Sequence, residues 1–410
     1  MGAVSHFFFS SGVAPSSTQV RYSSIVGGQV AGNLSFSLTA YPIPISVAGK
    51  IRTIGVSYTG VPLTTGQSFA VQLVVNGNVI AGTIATLDST HNSVIITPNT
   101  PLNANDNICL RWTPSGSPDV TGMIIYSHIV FEATASDRMV LPGIGSASAT
   151  TTPLYLPLYN NNTMAAIGLR DSMMPCAGTI NGFVVHSVVS TNTATVYTTY
   201  TLCINGVAQP MTVVHNDVSG INPTVYSTGA PIHVNKNDLI VIQRTGTGTI
   251  SSQLGAYSID FTPDNQDDYP IFGNSASSQW SSTQLSYMAF SGAQTNNTVE
   301  TGNLTFIAEA FNFSYLQFWM SNTSNGGATH RNITLRQNGV SVGTAFDFPN
   351  LNGATTYGAN VNVNYAANDN ADILQQPPAG GITVGNWKMG GVLRPIATAA
   401  RKQARYSYAL

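Results

Sequence analysis

The stretch Phe69-Ala70-Val71-Gln72-Leu73-Val74-Val75 roughly alternates apolar and polar residues and runs into Asn76-Gly77. A period of two belongs to a half-buried β-strand. Asn-Gly predicts a tight hairpin, because both turn residues take positive φ and these two tolerate it best. The unit recurs at Tyr197 to Gly206, ending Leu202-Cys203-Ile204-Asn205-Gly206, and at Arg331 to Gly339, ending Leu335-Arg336-Gln337-Asn338-Gly339. A second marker follows each copy: Asn105-Asp106, Asn237-Asp238 and Asn368-Asp369. The Asn-Gly markers recur after 129 and 133 residues, and the Asn-Asp markers after 132 and 131. Two independent markers on one period predict three tandem copies of one domain of about 130 residues, an ordinary domain size.

Each copy carries about eight short apolar runs separated by Gly, Pro, Asn and Ser turns, which predicts a β-sandwich or barrel. The expected fold class is therefore all-β, with three tandem antiparallel β-sandwich domains of jelly-roll type. An immunoglobulin sandwich would show a Cys…Trp…Cys pattern, which is missing. The expected boundaries are 1–135, 136–265 and 266–395, followed by a basic tail at 396–410. Domain two opens near Ser136, and the acidic stretch Thr262 to Pro270 joins domains two and three. The apolar patch Phe7-Phe8-Phe9 reads either as the first strand of domain one or as an arm docking on a neighbour. In the tail, Ala397 to Arg405 reads as a short helix.

Composition sharpens the fold class. Only 8% of residues are charged, against roughly a quarter in an ordinary soluble protein. Ser, Thr, Asn and Gly take their place, which suits strands and turns. Weak like-charge repulsion suits a protein packed against copies of itself. A net charge of −2 gives no general attraction to nucleic acid, and no specific nucleic-acid partner is expected. No run approaches the roughly 20 apolar residues that span a membrane. The N-terminus lacks a basic region and a long enough apolar core for a signal peptide, and matches a myristoylation pattern only loosely. Cys109, Cys176 and Cys203 are too few and too uneven for a disulfide framework, and read as buried free thiols on strands.

The residues offer little catalytic chemistry. The seven histidines never fall at metal-ligand spacing, and there is no HExxH, CxxC, nucleophile elbow or phosphate loop with its lysine. No cofactor is expected. Ca²⁺ is weighed at Asp264, Asp267 and Asp268, and at the Asn-Asp markers, against a solvated linker and against turns in which Asn and Asp bond their own backbone. Trp112, Trp280, Trp319 and Trp387 are weighed as sugar-stacking rings against strand core. Arg394, Arg401, Lys402 and Arg405 are too few for more than weak binding to nucleic acid. The assembly candidates are Phe7, Phe8, Phe9, Arg401, Lys402 and Arg405.

The repeated pattern is Ala-Gly-x-Ile, an alternating strand, Asn-Gly, a variable loop, Asn-x-Asn-Asp-x-Ile and a closing apolar strand. It resembles the jelly-roll modules, including TNF-like relatives, of minor capsid, vertex, cement and fibre proteins in large DNA viruses and tailed phages. The resemblance implies a virion structural protein and not an enzyme. It implies packing against itself, as a trimer or higher oligomer, and against other capsid proteins, after assembly in the host cytoplasm. A second likeness is to extracellular filament or surface-layer subunits, in which an arm from one subunit completes the next subunit's sheet. The third reading is a carbohydrate-binding or carbohydrate-hydrolysing β-protein.

Overall fold

A computed structural model describes residues 3–11, 14–27, 34–35, 42–135, 137–146, 151–159, 171–189, 196–221, 223–248, 253–275, 284–290, 292–294, 298, 300, 303–322, 330–349, 353–377 and 384–396. The described elements are antiparallel strands almost throughout. The first group is β1 (Val4–Ser10), β2 (Arg21–Ser23), β3 (Leu34–Ser35), β4 (Ile43–Pro44), β5 (Gly49–Thr59), β6 (Ser68–Val75), β7 (Asn78–Val79), β8 (Ala85–Asp88), β9 (Ser93–Ile96), β10 (Thr100–Leu102), β11 (Asn107–Ser115) and β12 (Ile124–Ala133). The second is β13 (Met139–Ser146), β14 (Leu154–Leu156), β15 (Ser172–Met173), β16 (Gly178–Val189), β17 (Val196–Ile204), β18 (Val207–Asp217), β19 (Gly220–Ile221), β20 (Val225–Tyr226), β21 (Ile232–Val234), β22 (Leu239–Gly246) and β23 (Gln253–Pro263). The third is β24 (Tyr269–Ser275), β25 (Ser286–Met288), β26 (Gly292–Gln294), β27 (Thr305–Phe306), β28 (Phe311–Asn322), β29 (His330–Gln337), β30 (Val340–Pro349), β31 (Gly353–Tyr365), β32 (Asn370–Gln376) and β33 (Val384–Pro395).

Among the described residues each group builds two sheets, and no sheet mixes strands from two groups. The first group gives β1-β12-β5-β10 and β3-β2-β11-β6-β7, the second β13-β23-β16-β19 and β14-β22-β17-β18, the third β26-β24-β33-β28-β31 and β25-β32-β29-β30. With split strands merged, one sheet of each pair runs first, eighth, third, sixth, and the other second, seventh, fourth, fifth. That order is a jelly roll, whose chain crosses between facing sheets at nearly every step. The sheets of a pair pack through apolar side chains and a few buried polar links. Tyr257 Oη on β23 donates to the Leu156 carbonyl on β14 at 2.8 Å. Phe290 meets Phe313 edge-on, ring centroids 4.8 Å apart. Trp112 and Trp387 are core residues.

Register aligns the three groups. The third strand of each skips one residue against the eighth: after Ile51, after Ile180 and after Phe313. A bulge of this kind leaves one extra residue on one strand and turns it locally. The extra residues are Arg52, Asn181 and Ser314. Counting outwards aligns Thr53 with Gly182 and Tyr315, and Val130 with Asp260 and Val392.

The pairs also close on each other in a cycle. We use "heel" for the short strand and loop before the third long strand: Ile43–Ala48, Ser172–Ala177 and Thr305–Ala310. The first heel's β4 packs on β13, β16 and β23 of the second pair. The second heel's β15 packs on β24 and β33 of the third. The third heel's β27 packs on β1, β5 and β12 of the first. All three pairs meet where Tyr159 Oη lies 3.2 Å from the His6 carbonyl and touches the Tyr269 hydroxyl. Tyr159 sits there at φ 55, a left-handed backbone that is rare for a bulky residue. Its N–H donates to the Pro142 carbonyl at 2.8 Å.

Candidate functional site

The groups brought together by the fold are at the three junctions, where each heel meets the next pair. Each heel is held by the two repeated sequence markers. The hairpin asparagines Asn76, Asn205 and Asn338 have φ of 49, 50 and 51, and the glycines after them 84, 81 and 81. Asn105, Asn237 and Asn368 are left-handed too, at 72, 76 and 72. Each Asn-Asp loop then exchanges backbone bonds with a heel residue. Ile45, Met174 and Ile307 donate to the carbonyls of Asp106, Asp238 and Asp369 at 2.8, 2.9 and 2.9 Å. They accept from Asn105, Asn237 and Asn368 at 2.7, 2.8 and 2.7 Å.

From that anchor the next heel residues project onto the neighbouring pair, and their chemistry differs by junction. Val47, Cys176 and Glu309 are equivalent, as are Ala104, Lys236 and Ala367. At the third-to-first junction Glu309 reaches the bulge of β5. Arg52 Nε donates to Glu309 Oε2 at 3.0 Å, its Nη2 pairs with Oε1, and Thr53 Oγ1 donates to Oε2 at 3.3 Å. Arg52 Nη1 also lies 3.6 Å from Glu132 Oε2. Behind this pair, Ala308 N–H donates to His128 Nδ1 at 2.8 Å, and His128 Nε2 is 2.9 Å from His6 Nδ1. Burial first, then the Arg52 charge, pushes His6 down to about 3. Burial, then His6, holds His128 well below the usual imidazole range.

At the second-to-third junction Lys236 places its ammonium 3.6 Å from the centroid of the Tyr315 ring, an attraction to the ring's negative face. Gln317 Nε2 donates to the Met174 carbonyl at 2.9 Å. The buried Lys388 ammonium lies 3.9 Å from Asp171 and 4.4 Å from the Trp319 ring centroid. Burial lowers its pKa, against the raising effect of Asp171.

At the first-to-second junction Asn107 Nδ2 donates to Thr224 Oγ1 at 2.9 Å. Here the position of Glu309 and Cys176 is Val47 and that of Lys236 is Ala104, and a pocket of about 440 Å³ remains between the heel and Arg138, Tyr226 and Asp260.

Phe7, Phe8 and Phe9 form β1, pair with β12 of their own chain and are buried, so of the two readings of this patch the first strand applies. Arg401, Lys402 and Arg405 lie outside the described residues, as do the expected tail helix and Trp280. The three cysteines are free and buried; Cys109 and Cys203 are on strands, whereas Cys176 is on a heel. Burial pushes the Cys109 thiol up to about 12. Of the linker acids, Asp264 lies 3.1 Å from His233 Nε2, and Asp268 accepts from Arg394. Among the described residues no three His, Cys, Asp or Glu groups cluster to hold a metal, and no helix is long and apolar enough to cross a membrane. The junctions had no sequence signal of their own: single residues such as Glu309 and Lys236 look like ordinary loop charges until the register aligns them.

No family model matches the chain, and no curated protein matches it in sequence. Three solved structures align weakly. "Structure of PNGF-II in C2 space group" aligns at 8% identity and TM-score 0.21, over 81% of this chain and 98% of that one. "The Triple Jelly Roll Fold and Turret Assembly in an Archaeal Virus" gives 9% identity and TM-score 0.15, over 95% and 91%. "Life in the extremes: atomic structure of Sulfolobus Turreted Icosahedral Virus" gives 10% and 0.16, over 96% and 92%. Scores this low carry nothing from those proteins to this chain.

Proposed function

We propose that the protein is a non-enzymatic structural subunit of a virion, a capsid, vertex, cement or fibre component that works by packing. On this reading the three sheet pairs are three copies of one domain, bounded at 1–135, 136–265 and 266–395. The supporting observation is the closed cycle of heels. Each module's heel occupies the face of the next, and the last returns to the first, so one chain builds a block with threefold-related sides. Such a block is suited to standing between neighbours of the same or related shape. The outer strands β18 and β30 carry Val207 and Val340, 63% and 65% exposed, at sheet edges of the kind that accept further pairing. Covering such edges is a role for further copies or for other capsid proteins.

The test is mass photometry and negative-stain electron microscopy of the purified full chain, with immunogold labelling of particles from the source. Discrete oligomers and labelled particles support the reading. A monomer at all concentrations together with unlabelled particles overturns it, and spontaneous fibres would instead favour the filament reading.

A further inference from the structure

The pocket at the first-to-second junction stands out when the three junctions are aligned. In the third pair, a Cβ on Gly358 of β31 would collide with the Tyr315 ring from β28. In the second pair, a Cβ on Gly182 of β16 would collide with the Tyr226 ring from β20. Gly182 is equivalent to Tyr315, and Tyr226 to Gly358, because Tyr226 opposes Val184 as Gly358 opposes Gln317. Glycine and tyrosine have exchanged strands, and an aromatic ring is kept at the same place. Lys236 covers that ring at the second-to-third junction. At the first-to-second junction the residue equivalent to Lys236 is Ala104, and Tyr226 is 39% exposed.

Two further features mark this place. Asp260 is fully buried where the other copies carry Val130 and Val392. It is held by Arg138, by Tyr226 Oη at 3.1 Å and by Asn181 Nδ2 at 3.3 Å. Across the pocket Ser46 is 4% exposed, and its hydroxyl has no hydrogen-bond partner among the described residues.

We propose that this pocket binds a neutral polyhydroxylated ligand of monosaccharide size. An aromatic face offers a surface for the C–H groups of a sugar ring. The partly exposed Arg138 guanidinium supplies donors for adjacent hydroxyls, and its pairing with the buried Asp260 carboxylate leaves no net charge to select an ion. The volume, about 440 Å³, lies in the range of small-ligand sites. Trp112 and Trp387, weighed from sequence as stacking rings, are core; the ring at this site is a tyrosine.

The test uses the full chain and a panel of glucose, galactose, mannose, N-acetylglucosamine and fucose, read by saturation-transfer NMR and titration. A parallel array of immobilised glycans separates a free sugar from the terminal residue of a glycan; binding in either arm supports the proposal. A104K places an ammonium over Tyr226, as Lys236 covers Tyr315, from an exposed position that leaves the fold alone. D260V installs the residue of the other two copies. Both should weaken binding at least tenfold. No saturable binding to the wild-type chain in either arm, or unchanged binding by A104K, overturns the proposal.

Discussion

Asn205 Nδ2 donates to Asp238 Oδ1 at 2.8 Å across 33 residues of chain. Asn205 Oδ1 accepts from Leu239 N–H at 2.9 Å, and Asp238 Oδ2 accepts from Asn235 N–H at 2.7 Å. The same clip joins Asn76 to Asp106 at 2.7 Å and Asn338 to Asp369 at 2.7 Å. This is why the two sequence markers share a period. One side chain turns a hairpin, the other turns the loop before the seventh long strand, and together they fix where the heel leaves the sheet. Sequence, turn chemistry and the closed cycle of modules are one causal chain.

The clip should contribute measurably to stability. Asp238→Ala removes an ionised acceptor serving two donors. Hydrogen bonds to charged groups contribute about 1.5–3 kcal/mol when protected from water. This clip is near the surface, so a loss of about 1–2 kcal/mol is expected by urea unfolding. Asp238→Asn keeps one acceptor oxygen and should lose less. Equal losses for the two variants would show that the acceptor oxygen kept by Asn contributes nothing, which would refute the clip's role.

The tight approach at the third-to-first junction gives a second expectation. A Cβ on Gly55 would collide with the Ala308 Cβ of the heel. Gly55→Ala must push the heel away from β5 and strain the bond from Ala308 to His128. Overpacking of this kind costs about 1–3 kcal/mol. The variant should unfold earlier in thermal scans and show faster amide exchange in Thr305–Ala310, while Gly66→Ala, with nothing near its Cβ, tests only the strain of its positive φ of 88.

Much of this architecture was legible beforehand for a physical reason. Alternation and Asn-Gly turns are local, and the recurring markers state the local signal three times. What was hidden is long-range. Phe7, Phe8 and Phe9 fit an arm or a first strand equally well, and only pairing with β12 distinguishes the two. Leu304 to Phe318 carries no Gly, Pro or Asn-Gly break, yet the chain divides there into β27 and β28 around the heel residues Ile307 to Ala310. The Asp260 site was invisible because one carboxylate in an alternating strand has no motif; it stands out only beside the equivalent Val130 and Val392.

A buried acid in the third pair should leave a pH signature. Arg336 Nη1 pairs with Glu300 Oε2 at 2.9 Å and lies 3.8 Å from Asp372 Oδ1. Burial, with the Glu300 charge adding and Arg336 opposing, pushes Asp372 up to about 7. A raised folded pKa makes the stabilising contribution complete below the unfolded value and lost as pH rises through the folded one. The window is therefore about pH 4 to 7, with a slope of at most about 1.4 kcal/mol per pH unit. Asp372→Asn cannot titrate and should flatten that part of the stability profile; an unaltered profile would refute the assignment.

The His6–His128 pair carries the opposite sign. Ala308 N–H donates to His128 Nδ1, so the ring proton of His128 sits on Nε2 and is donated to His6 Nδ1. Both rings are thus neutral, and a second proton on His128 would displace the Ala308 bond that joins the third pair to the first. Arg52 faces the pair and opposes protonation, while Glu309 is engaged with Arg52, and Phe8, Tyr269 and Phe311 close the remaining sides. Since the folded pKa values are depressed, stability is present above the unfolded value of 6.5 and is lost as pH falls towards about 3. Each histidine adds a slope of at most about 1.4 kcal/mol per pH unit. His186, lowered to about 4 by burial, acts in the same direction elsewhere, so the comparison must be between variants. His6→Phe should reduce the slope of the urea midpoint between pH 6 and 4, whatever its constant cost at pH 8. If the slope is unchanged, the histidine pair is not the group that ties ring closure to acidity.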